Sequence, residues 1–245
     1  MTIYMAQPGP GGRAQPGLGG RAAGSQVPRI AGLPPEPSRA LIDAATPMRR
    51  ARGEVIFALD DPGDSMFLIV HGKVRMGRPA GGGKEHLLTL LGPGDLFGEL
   101  TMFDPAPRKA TARALTDVDL RCIDSAAMRR WLSTEPDAAW HLLRFLARRL
   151  RRVNDVVENL LYSDVPRRVA RVLLEMADHF GQRISDGVRV HHDLTQEQLA
   201  HHVGASRESV NRALGDLADR GVIRMESRSV VIVDLDRLRR KASSG

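Results

Sequence analysis

The hydrophobic pattern of this chain changes near Pro136, and that change constrains the fold more than any other feature. Before it, short apolar runs such as 66–70 are separated by turn signals such as 60–64 and 92–95. Many short strands with regular Gly and Pro punctuation are typical of an antiparallel sandwich or barrel. After Pro136, apolar residues recur at helical spacing. The sequence therefore predicts an α+β chain with an N-terminal antiparallel β-sandwich or barrel and a helical C-terminal part.

The first helical stretch carries six apolar residues whose spacings are 3, 4, 3, 4 and 3. These residues are Leu143, Leu146, Leu150, Val153, Val157 and Leu160. Such an a/d heptad seam is typical of a coiled coil, although one amphipathic helix packed on its own domain would also carry an apolar stripe. We favour a dimerisation helix because the stripe is narrow, and we therefore expect a homodimer.

Composition sets wider limits. The 245 residues, 42% of them hydrophobic, are enough for two small domains with cores. The formal net charge of +7 suits an acidic partner such as nucleic acid, but an Arg-rich genome would give the same excess. Cys122 is the only cysteine, and no run of 18 apolar residues occurs. We therefore expect a cytoplasmic protein without intramolecular disulfides and without a membrane partner.

Residues 1–37 are rich in Gly, Pro and Ala. Such a segment cannot bury enough apolar surface to offset its ordering entropy, so we expect a disordered tail. The later changes of pattern predict three further parts. They are the β-barrel over 38–135, the dimerisation helix over 136–163 and a winged helix-turn-helix domain over 164–245.

A helix, a tight turn and a second helix follow one another in the C-terminal part. Thr195 opens a candidate capping box, Gly204 permits the turn, and Ser206 can cap the second helix. A strand pair at about 222–233 would form the wing. Helix, glycine turn and helix are the signature of a helix-turn-helix motif.

The second of these helices carries side chains that suit the edges of bases. Arg207 and Arg212 could each bond guanine O6 and N7, and Glu208 could accept from cytosine N4. A charged, solvated helix face would show the same residues. Because cap, turn, spacing and wing agree, we predict double-stranded DNA as the partner. The predicted contacts are Thr195, Ser206, Arg207, Glu208, Asn211 and Arg212.

Three parts of the chain together resemble the Crp/Fnr family, the cyclic AMP receptor protein family of bacterial transcription regulators. They are Gly204 to Arg212 (its recognition helix), Leu150 to Asp164 (its dimer helix and hinge), and Gly63-Asp64, Gly72-Lys73-Val74 and Gly92 to Leu100 (its cyclic-nucleotide barrel). They occur in the family's order over about 40–240. The resemblance implies an N-terminal double-stranded β-barrel of the cyclic-nucleotide-binding type. It also implies a homodimer on palindromic DNA, with half-sites like TGTGA, and RNA polymerase as a further partner.

Within the barrel, Phe97 to Leu100 and Arg108 to Thr111 resemble the family's phosphate-binding cassette. The resemblance implies a cyclic nucleotide such as cyclic AMP, with Gly98 and Arg108 on the phosphate and Glu99 on the ribose 2′-hydroxyl. A guanidinium beside a helix N-terminus is a good anion site. An internal Glu99–Arg108 ion pair without ligand is the alternative. The expected ligand site comprises Gly98, Glu99, Leu100, Arg108, Lys109 and Asn154.

Two positions depart from the family's pattern. Lys109 stands where the family usually has Ser or Thr, and Val153-Asn154 stands where it often has Thr followed by Ser or Asn. Losing a buried hydrogen bond costs about 1–3 kcal/mol. The prediction is therefore a regulator controlled by a cyclic nucleotide or a related effector. A same-fold regulator without a small effector, and a nucleotide-binding module that acts mainly through protein partners, stay open.

The sequence offers little for catalysis or metal binding. It contains no nucleophile elbow, no His-Glu-x-x-His motif and no P-loop. The adjacent pairs His191-His192 and His201-His202 would point apart. We therefore expect no enzyme activity, no metal and no covalent cofactor.

Overall fold

The computed structural model describes residues 30, 35–80, 84–135 and 137–243. Most of the predicted tail, residues 1–29 and 31–34, lies outside the described residues. Ile30 is buried beside Leu41 and Ile42 of the first helix. None of the described helices is long and apolar enough to cross a membrane.

Short strands build the N-terminal half. They are β1 (Thr46–Arg50), β2 (Val55–Phe57), β3 (Ser65–His71), β4 (Val74–Ala80), β5 (Lys84–Leu91), β6 (Leu96–Phe97), β7 (Thr111–Ala114) and β8 (Val118–Asp124). They form two four-stranded antiparallel sheets, with strand orders β1-β8-β3-β6 and β2-β7-β4-β5. Phe57 of one sheet packs on Phe67 and Phe97 of the other, so the core lies between the sheets. The predicted fold class is confirmed, and the strands described here form two facing sheets instead of one closed barrel.

Helices accompany these strands and build most of the C-terminal half. They are α1 (Pro35–Asp43), α2 (Leu100–Phe103), α3 (Ser125–Thr134), α4 (Ala138–Tyr162), α5 (Val165–Phe180), α6 (Gln196–Val203), α7 (Arg207–Asp219) and α8 (Leu235–Ser243). Trp131 of α3 and Phe145 of α4 pack with α1 against the sheet of β3.

The long helix α4 leaves most of its predicted seam exposed. Leu150, Val153 and Val157 are 63%, 54% and 49% exposed, whereas Leu146 packs against the core of the N-terminal half. The side chain of Leu160 lies outside the described residues. An exposed a/d stripe of this kind is the surface that a coiled coil would bury.

The C-terminal half is a winged helix-turn-helix. Its strands are β9 (Gly181–Ile184), β10 (Gly187–His191), β11 (Ile223–Glu226) and β12 (Ser229–Ile232), in the order β11-β12-β10-β9. The pair of β11 and β12 confirms the predicted wing, and the pair of β9 and β10 is an addition to it. Leu173, Leu199, Val210 and Leu214 lie in one core with this sheet.

Candidate functional site

The predicted cassette lies at the end of β6. Gly98 has a left-handed backbone (φ +79°), and Glu99 precedes the short helix α2. A Cβ at position 98 would lie 2.9 Å from Nη1 of Arg108 and 3.3 Å from the Phe57 ring. The backbone angle and the space therefore both favour glycine at this position.

Arg108 is buried against this turn, with 3% of its surface exposed. Its Nη1 donates to the Gly98 carbonyl at 2.6 Å, and its Nη2 donates to the Ser65 carbonyl at 2.7 Å. The guanidinium lies 4.3 Å from the centre of the Phe57 ring. Burial lowers the pKa of Arg108, although nearby aspartates raise it. Its Nε is buried without a hydrogen-bond partner.

Glu99 is 1% exposed, and its carboxylate pairs with α4 instead of with Arg108. Arg149 Nη1 lies 3.2 Å from Glu99 Oε2 and donates to the Leu96 carbonyl at 3.1 Å. The ion pair lacks hydrogen-bond alignment, so both carboxylate oxygens are buried without a hydrogen-bond partner. Arg149 is thus a site residue that the sequence analysis missed. Its place in the sequence does not distinguish it from the other arginines beside the seam.

The other predicted ligand residues are exposed in the single chain. Leu100 is 59% exposed on α2, Lys109 follows Arg108 on the surface, and Asn154 is exposed on α4. The structure thus brings Gly98, Glu99 and Arg108 together and leaves these three outside the buried cluster.

The buried part of the cassette suits a ligand that carries both an anion and a hydroxyl group. Arg108 offers a cationic donor, and Glu99 offers a carboxylate acceptor that no hydrogen bond satisfies. Unpartnered buried polar groups are costly, so a ligand that satisfies them would bind favourably. The described residues contain no cluster of His, Cys, Asp or Glu that could hold a metal ion.

The helix-turn-helix is held by the predicted caps. Thr195 Oγ1 accepts from the Gln198 N–H at 3.2 Å, and Gln198 Oε1 accepts from the Thr195 N–H at 2.9 Å. This arrangement confirms the capping box at the start of α6. Gly204 ends α6 in a left-handed conformation (φ +71°). Ser206 Oγ then accepts from the Ser209 N–H at 3.2 Å and caps α7.

The polar face of α7 is open. Arg207, Glu208, Asn211 and Arg212 are all exposed, and none of them makes an intramolecular ion pair with another described residue. Arg207 and Asn211, like Glu208 and Arg212, are four residues apart and share one side of the helix. The opposite side, with Ala213 and Leu217, is buried in the core. The structure therefore presents four of the predicted DNA-contacting residues together on one accessible surface.

Comparison with known proteins gives matches over both halves. The cyclic nucleotide-binding domain family matches residues 47–135, and the Crp-like helix-turn-helix domain family matches residues 167–241. A "CRP-like cAMP-activated global transcriptional regulator" of Mycobacterium tuberculosis is 48% identical over 211 residues, which cover 86% of this chain and 94% of the relative. The "Cyclic AMP receptor protein" of Thermus thermophilus is 35% identical over 201 residues, which cover 81% of this chain and 88% of the relative.

Solved structures show the same similarity. A CRP-family transcriptional regulator from Thermus thermophilus superposes with a TM-score of 0.67 at 30% identity, covering 81% of this chain and 97% of that one. A CRP/FNR-family regulator from the same organism gives 0.69 at 28% identity, covering 81% of this chain and 99% of that one. Sequence and fold agree along both domains, and the chain therefore belongs to the Crp/Fnr family of transcription regulators.

Proposed function

We propose that the chain is a sequence-specific DNA-binding transcription regulator that works as a homodimer and is controlled by a cyclic nucleotide. The observation that carries the DNA-binding part is the exposed set on α7: Arg207, Glu208, Asn211 and Arg212. A recognition helix enters the major groove with its N-terminal residues towards the bases, and these residues lie in the first two turns of α7. Thr195 and Ser206, which begin the two helices, would contact the phosphate backbone.

The exposed seam of α4 supports the homodimer. Leu143, Leu150, Val153 and Val157 form an apolar stripe in the single chain, and a second α4 would cover it. A two-fold dimer would place two α7 helices in successive major grooves, about 34 Å apart, on a palindromic site. RNA polymerase is a further proposed partner.

Glu99 and Arg108 support the nucleotide. A cyclic phosphate would pair with the Arg108 guanidinium, and a ribose hydroxyl would donate to Glu99. Cyclic AMP is the proposed effector because the Mycobacterium tuberculosis relative is named as cAMP-activated. Leu100, Lys109 and Asn154 remain predicted members of this site. Lys109 and the apolar Val153 favour a second candidate, a regulator of the same fold that needs a different effector or none.

DNA binding by the full-length, nucleotide-stripped protein tests the proposal. The protein is titrated onto a duplex carrying TGTGA-N6-TCACA and onto a scrambled duplex at fixed salt, with and without cyclic AMP. We expect tighter binding to the palindrome, and a further increase with cyclic AMP. Equal binding with and without the nucleotide would reject cyclic AMP as the effector and keep the DNA-binding part. Equal binding to both duplexes would reject the proposed half-site.

The substitution Arg212→Ala tests whether Arg212 contacts a base of the DNA. We expect it to weaken binding to the palindrome by about tenfold or more and to affect the scrambled duplex less, because a lost base contact costs about 1–3 kcal/mol. Arg129→Ala on α3 removes the same charge from an exposed site of the other domain and serves as the matched control. Equal losses on both duplexes would exclude Arg212 as a base reader.

A further inference from the structure

The turn that leads into the cassette is in direct contact with the winged-helix half. Residues 92–95 form this turn, in which the Gly92 N–H donates to Asp95 Oδ2 at 2.9 Å. A Cβ on Gly92 would overlap the ring of Phe180, the last residue of α5. His179 Nδ1 lies 3.8 Å from the Asp95 carboxylate. Only a glycine lets the ring lie this close to the turn.

Lys73, in the turn between β3 and β4, makes a second contact between the N-terminal half and the winged-helix half. Its Nζ donates to Asp193 Oδ2 at 2.5 Å and to the carbonyl of His191. It also lies 5.0 Å from the centre of the Phe180 ring. The Lys73 and Asp193 side chains are 14% and 30% exposed, so the pair is partly shielded from solvent. We call Lys73, Gly92, Phe180 and Asp193 the junction.

On the DNA-binding side, the junction holds the segment before α6. Asp193 has a left-handed backbone (φ +57°) and lies two residues before the cap of α6. The N–H groups of His192 and Asp193 both donate to the carbonyl of Arg228 in the wing turn, at 3.2 Å each. Asp193 therefore connects Lys73 with both elements that flank α7, the wing and the start of α6.

On the other side, the junction leads directly to the cassette. The segment from Gly92 to Glu99 has Phe180 at one end and the buried carboxylate at the other. Its backbone is held by β3, because the Gly94 N–H donates to the Ile69 carbonyl at 2.8 Å and the Ile69 N–H donates to the Asp95 carbonyl at 3.1 Å. These hydrogen bonds, with the pairing of β3 and β6, place Phe180 and Glu99 at the two ends of one continuously held segment.

We propose that the junction couples the cassette to the DNA-binding surface, with Lys73 and Asp193 as positioning residues. This inference rests on the proposed function and adds the contact through which occupancy of the pocket would change DNA affinity. The two halves also pack together beside the junction, where the His86 and His201 rings lie 4.6 Å apart. The junction differs from that packing because it connects the segment of Glu99 with the segment before α6.

Two substitutions by uncharged residues break the Lys73–Asp193 pair, and they change the net charge of the protein in opposite directions. Lys73→Met removes the ammonium group, and Asp193→Asn removes the carboxylate while keeping a residue that tolerates a left-handed backbone. Arg75→Met is the matched control, because the Arg75–Glu85 pair on β4 and β5 is equally short (2.6 Å) and shielded but lies within one domain. The measured quantity is the ratio of palindrome affinities with and without cyclic AMP, and calorimetry gives the cyclic AMP affinity.

We expect each junction variant to reduce that ratio by about threefold to fivefold, as the loss of a partly exposed ion pair would. The double variant should lose no more than Lys73→Met alone, because Lys73→Met already removes the ion pair that Asp193→Asn breaks. A decrease shared by two substitutions of opposite charge cannot come from general electrostatics. Arg75→Met should keep the wild-type ratio. Wild-type ratios in all junction variants would overturn the inference and leave the proposed function intact.

Measurements on the wild-type protein separate the proposed function from the proposed coupling. If it prefers the palindrome but does not respond to cyclic AMP, the effector is wrong and hydrogen exchange decides the coupling. Because coupling is reciprocal, bound DNA should then slow amide exchange over 92–99 in the wild type and in Arg75→Met, but less in Lys73→Met. An equal effect of DNA on all three would overturn the inference. If the wild type prefers neither duplex, the proposed half-site is wrong, and the same hydrogen-exchange comparison on a site obtained by selection decides the coupling.

Discussion

His192 gives the structure a specific sensitivity to acid. It lies between β10 and α6, is 3% exposed, and its Nδ1 accepts from the Leu194 N–H at 3.1 Å. Burial lowers its pKa from 6.5 to about 4, although Asp193 raises it. Between these values the unfolded chain binds a proton that the folded chain does not bind. Stability is therefore complete above about pH 6.5 and is lost as the pH falls towards 4.

The expected loss follows from these values. The difference between 6.5 and about 4 corresponds to about 3 kcal/mol when the titration is complete. Between pH 7.5 and pH 5.0, about 2 kcal/mol of this is lost. His192→Asn removes the titration and keeps an acceptor, because an Asn side chain can accept from the backbone N–H two residues later. We expect the variant to lose about 2 kcal/mol less than the wild type over this range.

Urea unfolding followed by circular dichroism measures the effect. Protein concentration and ionic strength are kept constant, because the stability of a dimer depends on concentration. The readout is the change in the free energy of unfolding between the two pH values, so a cavity left by the smaller Asn cancels. His191→Asn, at the exposed neighbouring position, is the matched control. Equal losses in the wild type and in His192→Asn would refute the assignment of the acid sensitivity to this buried imidazole.

Three further substitutions test the cap, the pocket and the seam. Ser206→Ala should lower the free energy of unfolding by about 1 kcal/mol in urea, because α7 loses its cap, whereas Ser206→Asp should not. Glu99→Gln should weaken cyclic AMP binding in calorimetry by about tenfold or more, and equal affinity would remove Glu99 from the ligand site. Val157→Glu should raise the dimer dissociation constant in sedimentation by at least about tenfold, since it buries a charge in the seam, and Arg151→Glu outside the seam should not.

The parts of the molecule that depend on local signals were predictable from the sequence. The cap at Thr195 and the cap at Ser206 are each made by hydrogen bonds that reach only three residues along the chain. The turn at Gly204 likewise needs only one left-handed residue. Spacing alone therefore located the helix-turn-helix and its exposed face.

The contacts that complete the pocket and the junction depend on distant residues. Glu99 and Arg149 are 50 positions apart in the sequence, and Lys73 and Asp193 are 120 positions apart. The Arg108 guanidinium donates to backbone carbonyls, and every residue offers a carbonyl. Alternating patterns likewise show that strands exist but not how they pair, so the two facing sheets could not be read from the turns. These partners are determined by tertiary packing, so no local sequence pattern predicts them.

The segment 92–99, which leads into the cassette, contacts both α4, which carries the apolar seam, and the DNA-binding half. Through Leu96 and Glu99 it holds Arg149, which belongs to the same helix as the apolar seam. Through Gly92 it touches Phe180, at the end of the first helix of the DNA-binding half. A hydroxyl that donates to Glu99 would compete with Arg149 for the carboxylate and so alter the first contact. Under the proposed coupling, a displacement of the segment would also alter the second contact. Under the proposed function, one small ligand would therefore act on the dimer helix and on the DNA-binding domain through eight consecutive residues, 92–99.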